Sequence, residues 1–146
     1  MIILINLDSE DEGELFIGCA GGANTTAEFT YQPVSAPQDY FYFRVTVKGL
    51  TGGHSGDDIN KGRANANKLL NRFLTQLASK YILYLCEIDG GNLHNAIPRE
   101  AQALCAVPMK DKESVRVDLN IYTAELENEY AATEPNLRTE LSSDSL

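Results

Sequence analysis

The sequence predicts an α+β protein: a ferredoxin-like β-α-β-β-α-β sandwich over residues 38–146, preceded over residues 1–37 by a strand and an acidic loop that read as the remnant of another domain. Three observations carry this. Phe41, Phe43, Val45 and Val47 alternate with Tyr42, Arg44, Thr46 and Lys48, the period of a half-buried strand. Ala66, Leu69, Leu70, Phe73, Leu74 and Leu77 recur at three- and four-residue steps, the stripe of an amphipathic helix. Two further strand-like runs, a second helical stripe and a last short strand then follow in the order a split β-α-β unit requires.

Taken in order, residues 2–7 are apolar apart from Asn6, the pattern of an interior strand, and they break into Asp8-Ser9-Glu10-Asp11-Glu12-Gly13. Gly18-Cys19-Ala20-Gly21-Gly22, a polar strand-like stretch to Tyr31 and a turn-rich segment to Gln38 follow, which places a boundary near Pro37. The strand from Phe41 ends in a loop, residues 49–56, and the first helix is expected from about Lys61 to Lys80. Residues 82–88 and 101–107 read as strands joined by a loop containing Gly90-Gly91. Val115, Leu119, Tyr122 and Leu126 mark a second helix stopping before Pro135, and residues 137–141 offer the last strand. The first and last strands of such a unit are neighbours, so its ends meet. A module of that shape suits insertion into another domain, and the chain reads as cut out of something longer. Ile82-Leu83-Tyr84-Leu85-Cys86-Glu87-Ile88 falls on a sheet edge and is apolar for an exposed one, so a partner chain is expected to cover it.

Composition narrows the function classes. With 146 residues, 43% hydrophobic and 23% charged, the chain is one globular domain or a little more. No apolar run approaches the roughly 20 residues of a bilayer span. The balance of 21 acidic against 12 basic residues, net charge -9, comes without a basic stripe, which argues against nucleic-acid or anionic-membrane partners. Cys19, Cys86 and Cys105 form neither a disulfide scaffold nor a zinc pair, and the apolar start lacks the basic region of a signal peptide. A reducing cytoplasm fits best.

Among the motifs, the acidic stretch from Asp8 mimics a calcium loop but has Cys19 at the twelfth position, where such a loop needs a glutamate. Glu10, Asp11 and Glu12 read as a solvated turn. Asp8 directly follows the buried run, where an ionised carboxylate needs a cation or hydrogen bonds, so it is a candidate metal ligand. The glycines around Cys19 lack dinucleotide-loop spacing, and no basic group is near to activate the thiol, which reads as a buried structural one. Gly49-Leu50-Thr51-Gly52-Gly53-His54-Ser55-Gly56 puts a lone imidazole in a loop whose glycines permit close approach to a ligand; the plainer alternative is a turn histidine with no task. Asn95 offers an amide donor and acceptor ahead of the rigid Pro98, and His94 reads as a loop residue without a chemical role.

Together, the stretch Leu4 to Glu14, Gly18-Cys19-Ala20-Gly21-Gly22, Gly52-Gly53-His54-Ser55-Gly56 and Asn95-Ala96-Ile97-Pro98-Arg99-Glu100 resemble the aminoacyl-histidine (Xaa-His) dipeptidases. These are zinc metallopeptidases of the family that contains carboxypeptidase G and succinyl-diaminopimelate desuccinylase. The resemblance covers nearly the whole chain and implies an α/β catalytic domain with two zinc ions, interrupted by a ferredoxin-like lid and dimerisation domain. Residues 1–37 then belong to the catalytic domain and 38–146 to the lid. The resemblance implies that Asp8 binds one zinc. It also implies that His54 approaches the substrate carbonyl and stabilises the oxyanion, in dimeric relatives from the opposite protomer, and that Asn95 contacts substrate. The implied partners are a dipeptide and a second copy joined through the edge strand, Ile82 to Ile88, and the lid helix, in the cytoplasm. The family's other metal ligands, its general-base glutamate and its substrate-binding arginine have no counterpart. A catalytic zinc needs about three protein ligands, so this chain alone is expected to be inactive and to hold no zinc stably. The alternatives are a stand-alone, non-catalytic dimerisation module and a regulatory metal or amino-acid sensor of the ferredoxin-like fold, for which His54 and Asn95 alone make a thin pocket.

Overall fold

A computed structural model describes residues 5, 12–18 and 21–144 of the chain. The chain forms two units, Met1–Pro33 and Val34–Leu146. In the first, the described residues are exposed and, beyond a turn at Glu12 and Gly13, irregular. The polar strand expected up to Tyr31 is therefore not formed. A strand persists only where a neighbouring ladder takes up its N–H and C=O groups, and these residues have none. The leading strand expected over residues 2–7 lies, apart from Ile5, outside the described residues, as do Asp8 and Cys19.

The second unit contains β1 (Tyr40–Lys48), β2 (Gly53–His54), α1 (Ala66–Lys80), β3 (Tyr84–Gly90), β4 (Ala96–Ile97), β5 (Ala101–Pro108), α2 (Lys112–Glu129) and β6 (Arg138–Ser143). The four long strands make one antiparallel sheet in the order β3-β5-β1-β6, with the first and last strands of the β-α-β-β-α-β series side by side as expected. Phe41, Phe43, Val45 and Val47 of β1 stand opposite Val107, Cys105, Ala103 and Ala101 of β5, and this face joins the apolar stripes of α1 and α2 in a single core. Burial pushes the Cys105 thiol up to about 12, which leaves it an inert packing group.

The first helix starts at Ala66 rather than near Lys61. A short 3-10 turn, Ile59–Lys61, ends at Gly62 with a left-handed φ of 68°, and the Asn65 side chain then caps the new helix by accepting from the Lys68 N–H at 3.2 Å. The two helices are joined by Tyr122. Its hydroxyl donates to the Leu69 carbonyl at 2.8 Å and accepts from Arg72 Nε at 3.0 Å, while its ring stacks on Phe73. At the sheet edge, β3 leaves Leu85 and Ile88 53% and 60% exposed, and Ile82 just before it 63%.

Candidate functional site

The candidate site is an excursion between β1 and α1 that sequence reading treats as a simple loop. Its glycine density has a packing cause. Gly52 and Gly53 hold φ of 66° and 142°; a Cβ on Gly52 would run into the Arg99 side chain, and one on Gly53 into Arg63 Nη1 and Asp58 Oδ2. The backbone is pressed against these side chains and then presents His54.

His54 is held from both its backbone and its ring. The His54 N–H donates to Asp58 Oδ2 at 2.7 Å; Asp58 also receives Lys61 Nζ at 2.6 Å and pairs with Arg63 Nη1 at 3.2 Å. Arg63 Nη1 in turn donates to the Gly52 carbonyl at 2.6 Å. The hydrogen bond from Lys61, then that from the His54 backbone, holds the Asp58 carboxyl below its ordinary range. On the ring, Nδ1 accepts from the backbone N–H groups of Gly56 at 3.1 Å and Asp57 at 3.3 Å. A neutral imidazole so held carries its proton on Nε2, on the side of the ring away from the turn, and offers it as a donor. Asp57 Oδ2 lies 3.5 Å from Nδ1, a contact that becomes attractive only on protonation. The two backbone donors therefore decide the neutral tautomer.

Residues far apart in sequence meet here. β2 and β4 form a two-residue antiparallel ribbon that sets Gly53 opposite Ile97 and His54 opposite Ala96, and the Ser55 N–H donates to the Asn95 carbonyl at 3.0 Å. His54 and Asn95 thus share one end of the ribbon, while His94 lies in the turn before it. An open cleft of about 200 Å³ adjoins the ribbon, lined by Gly53, Leu93, Ala96, Ile97, Arg99 and Glu100 among others. The excursion is fastened at its neck by Glu134, whose Oε2 accepts from the Thr51 N–H at 2.6 Å and whose Oε1 accepts from the Ala64 N–H at 2.8 Å. Asp58, Arg63 and Glu134 escape sequence reading. Asp58 had a signal in its position four residues after the histidine; Glu134 had none.

Among the described residues, no group of three or more His, Cys, Asp or Glu is arranged to hold a metal ion. These residues therefore do not fit a metal centre by themselves. Among them also, no helix is long and apolar enough to cross a membrane.

Residues 44–134 match the peptidase dimerisation domain, and the chain belongs to that family. The chain is 47% identical over 135 residues to the cytosol non-specific dipeptidase of Escherichia coli (strain K12), covering 92% of this chain and 28% of that protein. It matches the crystal structure of aminoacylhistidine dipeptidase from Vibrio alginolyticus with a TM-score of 0.76 and 39% identity, over 79% of this chain and 24% of that one. An amidase of the hydantoinase/carbamoylase family from Burkholderia phymatum shares the fold at a TM-score of 0.55 and 14% identity. The chain thus spans about a quarter of the length of the two dipeptidases, at 28% and 24%.

Proposed function

We propose that this chain is the lid and dimerisation part of a cytosolic zinc dipeptidase whose longer form hydrolyses dipeptides, Xaa-His dipeptides among them. The observation that carries the reading is the His54 imidazole, fixed by two backbone donors at Nδ1 so that Nε2–H is left as its donor, at the ribbon end where Asn95 also lies. Acyl transfer to water builds negative charge on the former carbonyl oxygen. A donor already oriented toward that oxygen stabilises it without reorganising in the transition state. In this reading His54 supplies that donor and Asn95 holds the substrate. The longer protein holds two zinc ions, with Asp8 as one ligand. The cleft beside the ribbon, about 200 Å³, is smaller than the 300–1,000 Å³ or so typical of complete ligand pockets, which supports a lid that contributes one wall of a site. The free thiols of Cys86 and Cys105 suit a reducing compartment. Self-association through the apolar edge of β3 and the neighbouring α1 completes the proposal.

The test is hydrolysis by the full-length protein of Xaa-His dipeptides beside dipeptides lacking histidine. His54→Ala is expected to lower kcat by about 10²–10³, the usual cost of losing one oxyanion donor. An unchanged kcat in that variant removes His54 from the chemistry, and failure to cleave any dipeptide overturns the reading as a whole.

A further inference from the structure

We propose that Glu134 is a positioning residue for His54: its buried carboxylate ties together the two ends of the excursion, residues 51–64, that carries the imidazole. The inference rests on the dipeptidase reading above. Glu134 is 4% exposed, and among the described residues it is the buried charged side chain of this unit. A carboxylate removed from water is costly unless its oxygens are occupied, and here each oxygen takes one backbone N–H, that of Thr51 and that of Ala64. Those two donors stand at the start and end of the excursion. The Thr51 hydroxyl adds a bond to the Thr133 carbonyl at 3.1 Å, fastening the same neck to the same segment between α2 and β6.

The rest of the excursion is bonded mainly to itself. Asp58 gathers the His54 N–H, Lys61 and Arg63, and Arg63 returns to the Gly52 carbonyl. This internal knot makes the excursion one stiff piece, attached to the body along the β2–β4 ribbon, through Leu50 and Ala64 in the core and the Leu50–Arg99 backbone bond, and at the Glu134 neck. With the Glu134 bonds weakened, the neck loosens at both Thr51 and Ala64, and the ribbon end that presents His54 shifts with it. A misplacement of about 1 Å in a group that acts on the reacting centre can cost about 10²-fold in rate. The effect belongs to the transition state, where alignment counts most, and so to kcat more than KM.

The experiment uses the full-length, metal-loaded protein and a Xaa-His dipeptide. Glu134→Gln keeps the shape but turns an NH2 toward one of the two backbone donors, so it can satisfy only one of them. The expected result is a fall in kcat of about tenfold or more with KM within about threefold, and no further fall when the same substitution is made on His54→Ala, because both changes act through one group. Protein NMR supplies a readout independent of turnover: Glu134→Gln should perturb the Gly56 and Asp57 amides that hold Nδ1. An unchanged kcat, an equal loss in both backgrounds, or a change in stability with those amides unmoved overturns the proposal. If His54→Ala itself leaves kcat intact, the dipeptidase role of His54 is what fails; the amides then decide the neck, their perturbation supporting Glu134 as the anchor and their constancy overturning it. Should Glu134→Gln not fold, Glu134→Asp is judged by the same criteria, and failure of both to fold shows a role in the whole fold and overturns the local one.

Discussion

At the scale of single residues, Asp58 does for the backbone of His54 what Gly56 and Asp57 do for its ring. The Asp58 carboxyl is lowered first by the Lys61 hydrogen bond and then by the His54 N–H, against an opposing effect of burial that exceeds the lesser lowering by the Arg63 charge. A carboxyl lowered on folding contributes stability that is fully present above its unfolded value and is lost as pH falls through its folded one. The His54 amide resonance should therefore report the Asp58 titration with a midpoint below the ordinary carboxyl value of 3.8. A midpoint at or above that value would contradict the clamp. His54 itself was legible in the sequence because one of only two histidines sits among glycines. Its tautomer was not, since that depends on two amide groups brought to Nδ1 by a turn.

At the scale of elements, α1 and α2 are held by a continuous apolar seam against β1 and β5. Leu77 of α1 is fully buried in that seam, and its truncation removes contacts that the packed neighbours cannot restore. Leu77→Ala should cost about 2–5 kcal/mol in urea unfolding. Thr75→Ala on the exposed face, where the hydroxyl only bonds back to the Asn71 carbonyl at 2.8 Å, should stay within about 0.5 kcal/mol. Both helical stripes were readable because the spacing of apolar residues records which face is buried. The start of α1 was not read correctly, because Gly62 and the Asn65 cap, visible as residues, act through backbone angles. The strand expected before Tyr31 failed for a related reason: polar alternation alone does not supply a neighbouring ladder.

At the scale of the whole molecule, the antiparallel sheet with an apolar edge, in a chain of the peptidase dimerisation domain family, supports the self-association proposed above. Leu85 and Ile88 remain more than half exposed on that edge. Leu85→Lys combined with Ile88→Lys should shift the protein to monomers in sedimentation velocity at little cost to folding, since charge on an edge strand opposes pairing. A dimer that survives the double substitution would place the interface elsewhere. The sequence by itself determined the layers and their order, because strand and helix periodicities are local records of which side chains leave water. It also marked His54 and Asn95 as candidates. Only the tertiary structure decided that both lie at the same end of a two-residue ribbon and that Glu134 closes the neck of the excursion. Those contacts join residues tens of positions apart through backbone hydrogen bonds, which carry no side-chain signature in the partner that donates them.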